Sequence, residues 1–435
     1  MDQILRNIAP DFKTIDAIDI LPSQKQLLSN NIPIHIINGG SQDVLKIEFI
    51  FDAGIWQQNS PLVASMANSM LNEGTINYTA SEIAEKFDFF GAFIGFSTGK
   101  HDASISLYTL TKYIKDTLEI TEDIIKNSRF PEKEFRTILL NKKQKFQINH
   151  QKTNVLAKNK FNKLIYGPNH PYANCYDIEE FDKIDLKVVK EFYHKYYTPN
   201  NCKIIIAGKV DQQILNQLEA LFGIEKWPLQ KENCIPEFKI QPSKEKKAFV
   251  MVKDAVQSSI RIGRSLFNKT HKDYAAMQLL NLVLGGYFGS RLMQNIREDK
   301  GYTYGISSFI ISHLNAGHFA IVTEVGKDVC ADAIKEIFYE IKKLREELVP
   351  EEELNLVKNY ISGEMLRNLD SPFSLSESLK GNLQFGFDNS YYQNFISELK
   401  QVNPEQINKL AIKYLQEEDL SLIVSGSENS ISYNS

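Results

Sequence analysis

Imidazoles and thiols are the side chains that most often hold a metal or act as nucleophiles, and this chain has eight histidines and four cysteines. Their spacing suits neither task. Cys175, Cys202, Cys234 and Cys330 lie far apart with no C-x-x-C, which predicts reduced, mostly buried thiols and no metal signature. His313 and His318 flank an expected hairpin turn and neither belongs to a helical pair, so packing or surface roles are predicted. The glycine-rich run LGGYFGS, Leu284 to Ser290, follows a helical pattern rather than a strand. It reads as a turn between helices and not as a phosphate loop. The lysines from Lys142 to Lys163 fall on one long helix and read as a solvated face.

The elements that would position such residues are those of a multidomain globular chain. At 435 residues the sequence exceeds one ordinary compact core, and 43% hydrophobic content with 26 Phe and 19 Tyr supplies large interiors. A net charge of -4, with no concentrated Lys and Arg, argues against a general nucleic-acid or anionic-membrane surface. The start MDQILRNIAPDFK lacks a basic segment followed by an unbroken apolar one, and no run of 18 apolar residues occurs. A cytoplasmic chain with no membrane span is expected.

The chain repeats itself. Asp185 to Gly208 lines up with Asn403 to Gly426 at a shift of 218, each reading as capped helix, apolar strand and glycine. Val189 matches Ile407, Phe192 matches Leu410, and Tyr196 matches Tyr414. A second match, PEKEFRTILLNKKQ from Pro131 against PEEELNLVKNYISG from Pro350, puts proline and acidic residues at two helix starts. Amphipathic helices over Lys112 to Lys126 and Lys327 to Leu344 precede them, with apolar strands before those. The expectation is an α+β fold of two homologous lobes, each a mostly antiparallel sheet with helices on one face, forming a clamshell. Residues 1–222 and 248–435 are the expected lobes. The Pro-, Lys- and Glu-rich stretch 223–247 is the expected linker.

Three runs together are specific: ASMANSMLNEGTINYTASEIAEKFDFFGA from Ala64 to Ala92, the Gly-Pro-x-His-Pro-Tyr stretch from Gly167 to Tyr172, and LGGYFGSRLMQNIREDKGYTYGISS in the second half. Nearly the whole chain resembles the inverted zinc metallopeptidases, the family of pitrilysin, insulin-degrading enzyme and the mitochondrial processing peptidase. In that family H-x-x-E-H precedes M-L-x-x-G-T. Two His four apart on a helix grip one metal, and the intervening Glu acts as general base on its water. Anchoring on Met70, Leu71, Gly74 and Thr75 puts Ser65 and Ser69 at the histidine positions and Asn68 at the base. The third ligand position falls on Asn141 or its neighbour Leu140. A hydroxyl is a poor zinc ligand beside imidazole, and a neutral amide cannot take a proton from water near pH 7. The resemblance therefore implies a degenerate site and no cofactor in this chain.

It also implies roles for Arg297 and Tyr304, which match an Arg and a Tyr that contact substrate backbone and developing oxyanion across from the zinc. A guanidinium fork and a phenol hydroxyl are fixed donors suited to charge on a carbonyl oxygen. Seven residues apart, they are expected at a helix end and on the following strand. The plainer alternative pairs Arg297 with a neighbouring carboxylate and leaves Tyr304 half-buried in a sheet. The strand from Ala92 to Thr98 matches the edge on which relatives hold extended peptide, with Gly95 where Asn is usual. The implied function is that of a zinc-free, non-catalytic subunit of a heterodimeric metalloendopeptidase, inactive alone. It would close a chamber over a homologous H-x-x-E-H subunit carrying the zinc and lend Arg297 and Tyr304 to a peptide or unfolded polypeptide. The alternative is a catalytically inactive scaffold or a peptide-binding homologue.

Overall fold

The computed structural model describes residues 20–224, 227, 236–388 and 390–428; Cys234 and residues 225–226 and 228–235 of the expected linker lie outside the described residues. Period-two patterns become strands: β1 Gln24–Leu27, β2 Pro33–Asn38, β3 Val44–Phe51, β4 Phe93–Thr98, β5 Ala103–Leu110 and β6 Cys202–Gly208. These form one sheet in the order β1-β2-β6-β3-β5-β4. The second sheet contains β7 Lys247–Met251, β8 Gln257–Leu266, β9 Thr303–His313, β10 Ala316–Gly326 and β11 Ser421–Gly426, in the order β7-β11-β8-β10-β9. Without β1 the two orders are the same. In each sheet the pairing is antiparallel except one parallel contact, β2 with β6 and β7 with β11. The two-lobe α+β expectation is therefore met by a duplicated topology.

The repeated helix signals work as their residues dictate. Asp185 caps the Leu186–Tyr196 helix by accepting from the Lys187 amide, and Asn403 caps Pro404–Tyr414 in a reciprocal box with Gln406. The paired prolines, Pro131 and Pro350, sit just before helices Glu132–Asn149 and Glu351–Asn368, whose first turns are acidic.

Each half's own helices pack on one sheet face. In the first half, Leu45, Ile47, Phe49 and Phe51 of β3 meet Leu118, Ile124, Val189 and Phe192. The opposite face is covered by a helix from the other half, a crossing that periodicity alone did not indicate. Helix Pro372–Leu383 places Leu375 and Leu379 on Ile37, Ile50, Ile205 and Ala207 of sheet one. Helix Thr153–Tyr166 places Ala157, Phe161 and Ile165 against Ala316, Ala320 and Ile423 of sheet two. The halves are thus interlocked, because each sheet needs the other half's helix to bury its second face.

Candidate functional site

Helix Val63–Ser69 is buried almost all round: Val63, Ala64, Met66 and Ala67 are in the core with Met70 and Leu71 just beyond. It packs against β4, β5 and helix Glu132–Asn149. Only Ser65 and Ser69 are half-exposed, so the two positions expected to face a metal do share the one open side of the helix. The Ser65 hydroxyl donates to the Leu62 carbonyl at 3.0 Å. Leu62, at the helix start, holds a left-handed backbone with φ of 72°, unusual for a branched side chain. Asn68 points the other way. It is 2% exposed, and its amide donates to the Tyr197 hydroxyl at 3.0 Å. Burial raises the Tyr197 phenol far above its usual range, with the Asn68 bond opposing. Asn68 is therefore a packing residue tied to a neutral phenol.

The facing helix supplies a different side chain from the one expected. Asn141 is exposed and Leu140 is 57% exposed, so neither turns toward Ser65. Lys142, one place further on, does. Lys142, Lys145, Phe146 and Asn149 line a cavity of about 390 Å³ together with Ser65 and Tyr176. Burial and then Lys145 push the Lys142 ammonium below its ordinary value. This departs from the solvated face expected of the lysine run. The signal lay in the periodicity: Phe135, Ile138, Leu139 and Phe146 form the inward stripe, and Lys142 falls in line with them. Among the described residues, no group of three or more His, Cys, Asp or Glu side chains is placed to hold a metal ion.

On the second half, Arg297 ends the helix Met293–Asp299, whose wider turn shows in the Lys300 amide bonding the Asn295 carbonyl at 3.0 Å. Such π-turns recur where a side chain must be displaced from regular helix positions. Arg297 contacts Glu298 and lies 4.7 Å over the ring of Phe288. Tyr304 is the second residue of edge strand β9 and is 95% exposed. Arg297 thus has the neighbouring carboxylate of the plainer reading, but Tyr304 is not the half-buried residue that reading required. LGGYFGS forms the turn between helical segments that its context suggested.

Comparison with known proteins agrees with this geometry. A family description reading "Peptidase M16 inactive domain" matches residues 183–361. Over those residues the chain resembles the inactive domain of M16 peptidases. A Bacillus subtilis protein named as an uncharacterized zinc protease YmxG is 25% identical over 84% of this chain and 89% of its own length. A Helicobacter pylori protein named as a non-peptidase homolog YmxG is 24% identical over 83% and 84% respectively. A crystal structure of a peptidase M16 inactive domain from Pseudomonas fluorescens superposes with a TM-score of 0.82 at 24% identity, covering 95% of this chain and all of that one. Among the described residues the edge strand β4 pairs with β5 on one side only, and Gly95 lies within it. His313 and His318, with no helical partner, are packing residues: His313 stacks on Tyr172 at 4.3 Å and His318 shares a 2.8 Å hydrogen bond with Tyr166. Among the described residues, no helix is long and apolar enough to cross a membrane.

Proposed function

We propose that this protein is the non-catalytic chain of a two-chain peptidase, presenting Arg297 and Tyr304 to substrate held at the zinc of a homologous subunit. The observation that carries the reading is the exposure of Tyr304 at 95% on a strand at the edge of its sheet among the described residues. A phenol serving only its own fold would bury its ring, as Tyr166 and Tyr172 do. Arg297, held over Phe288, is positioned beside it in sequence on the preceding helix end, and its ion pair with Glu298 is partly exposed and exchangeable. The first-half residues supply no zinc chemistry in this reading, since Ser65, Asn68, Ser69 and Asn141 offer neither ligands nor a base. Peptide would lie along an exposed edge such as β4.

The Arg297–Glu298 contact favours a second reading, an inactive scaffold or peptide-binding homologue in which that pair is structural. One assay separates them. The chain is mixed with a homologous H-x-x-E-H subunit and cleavage of unstructured peptides is followed. The pair is expected to cleave while this chain alone does not, and Arg297→Ala or Tyr304→Phe should lower kcat about 100-fold, as for loss of an oxyanion donor. Unchanged turnover in both variants assigns the chain to the scaffold reading.

A further inference from the structure

The cavity beside Ser65 has a chemistry of its own. Lys142, Lys145 and His150 line it, and among the described residues no Asp or Glu does. Among the described residues neither lysine has an ion-pair partner, although Lys143 next to them pairs with Asp182. A half-buried ammonium without a counter-charge is costly, and folds usually supply a carboxylate to it. The second half shows the ordinary solution. In the register that matches Pro131 with Pro350, Phe135, Ile138 and Phe146 correspond to Leu354, Val357 and Met365, all packed in the second core. Lys142 corresponds to Ile361, which packs there too. The duplicated fold therefore accommodates an apolar side chain at this position, and the first half instead has a cation facing a cavity.

From these observations we infer that the cavity is a binding site for the terminal carboxylate of a peptide, with Lys142 and Lys145 as its counter-charges. The walls fit such a ligand. Asn149 adds an amide N–H donor, while Phe146, stacked with Tyr176 at 5.4 Å between centroids, offers an apolar surface to the last side chain. A volume of about 390 Å³ lies at the small end of ligand pockets, enough for a chain end and not for a folded partner. The helix carrying Ser65 packs beside edge strand β4, so an extended peptide paired to that edge would pass close to the cavity. Lys145 is exposed, which leaves the site open to a ligand from solvent. The inference concerns this chain alone and stands whether or not a zinc-bearing subunit exists.

Calorimetric titration of the full chain tests it with one short peptide in three forms: free acid, C-terminal amide, and amide carrying an internal Glu. The free acid should bind at least about tenfold more tightly than the amide, the size of one hydrogen bond to a charged group. Lys142→Met, which keeps the length of the side chain, should abolish that difference, and Lys145→Ala should reduce it. Thermal unfolding of both variants checks that the fold is retained; if Lys142→Met does not fold, Lys145→Ala alone decides. Equal binding of acid and amide overturns the proposal, as does an acid preference that survives the substitutions in folded protein. Competition by inorganic phosphate or by the internal-Glu peptide as strong as that of the free acid overturns the assignment to a chain end.

Discussion

The two helices that cross between the halves occupy equivalent places in a duplicated topology, yet they are seated by opposite chemistries. Under helix Pro372–Leu383 a buried ionic cluster joins the apolar contact with sheet one. Lys46 and Glu48, both 1% exposed, point from β3 at Ser376, Glu377 and Lys380, and Lys380 bonds Glu48 and, at 2.8 Å, the Ser104 hydroxyl. Under helix Thr153–Tyr166 the contact is aromatic and neutral. Tyr166 bonds His318 at 2.8 Å, and beside it Tyr172 links His101 at 2.7 Å to the Asn315 amide at 2.9 Å, with Trp56 and Phe238 packed around them. Shared topology fixes where a helix must sit but not which forces hold it there. The consequence is that the two seats should fail under different perturbations.

The largest effect is expected at the ionic seat. Burial pushes the Glu48 carboxyl up, but Lys380 and Lys46 outweigh it and hold the carboxyl below its usual range. Glu48→Ala leaves the Lys380 ammonium without its carboxylate in a buried interface, while Lys46 keeps only the partly exposed Glu377. A loss of about 3–5 kcal/mol is expected, read by denaturant unfolding at pH 7. A loss under about 1 kcal/mol would place these charges with ordinary surface pairs and erase the distinction between the seats.

Acid should act on the other seat first. Burial lowers His318 and His313 to about 3 and His101 to about 4; nearby cations including Lys100 and Arg261 add to this, while Asp52 opposes it at His101. These rings are neutral when folded and titrate near 6.5 when unfolded, so the unfolded chain binds more protons in between. Stability should therefore fall as pH drops from about 6.5 toward 4, by roughly 2 kcal/mol at pH 5 for a ring as buried as His318. Glu48 behaves oppositely over that window. Its pKa is depressed, so its contribution persists above the unfolded value near 4.3 and is lost only below it. Hydrogen exchange at pH 5 should show amides of Thr153–Tyr166 losing protection while those of Pro372–Leu383 keep it. Simultaneous loss would mean that the interlocked halves open as one unit.

How much of this was legible in the sequence depends on whether a feature leaves a periodic trace. The repeat, the paired Pro-Glu helix starts and the two-lobe fold did, because core positions recur at fixed offsets. The open side of helix Val63–Ser69 did as well, since Ser65 and Ser69 stand four apart on it. Helix crossing did not: a helix that covers another half's sheet has the same amphipathic pattern as one that covers its own. The exposed Asn141 and the inward Lys142 differ by one residue, a rotation of roughly 100°, and only the apolar stripe through Phe135 and Phe146 separates them. The ionic seat was hidden for a related reason. Lys46 and Glu48 alternate with Leu45 and Ile47 as in a strand with one wet face, and that face is dry only because a distant helix lies over it.

The smallest change sharpens the contrast most directly. Tyr166→Phe removes one hydroxyl and its bond to His318 while keeping the ring that packs on Phe161 and Tyr172. At pH 7 the cost should be about 1 kcal/mol, the usual value of one hydrogen bond. The informative quantity is how that cost changes with acidity. If the hydroxyl donates to Nδ1 of the neutral imidazole, it opposes protonation of His318, so its removal lets the ring titrate at higher pH. The variant should then lose less stability on acidification than the parent, with the gap narrowing as pH falls from 6.5 toward 4. A gap that stays constant over that range would mean the hydroxyl accepts from the ring instead, and that burial alone keeps His318 neutral.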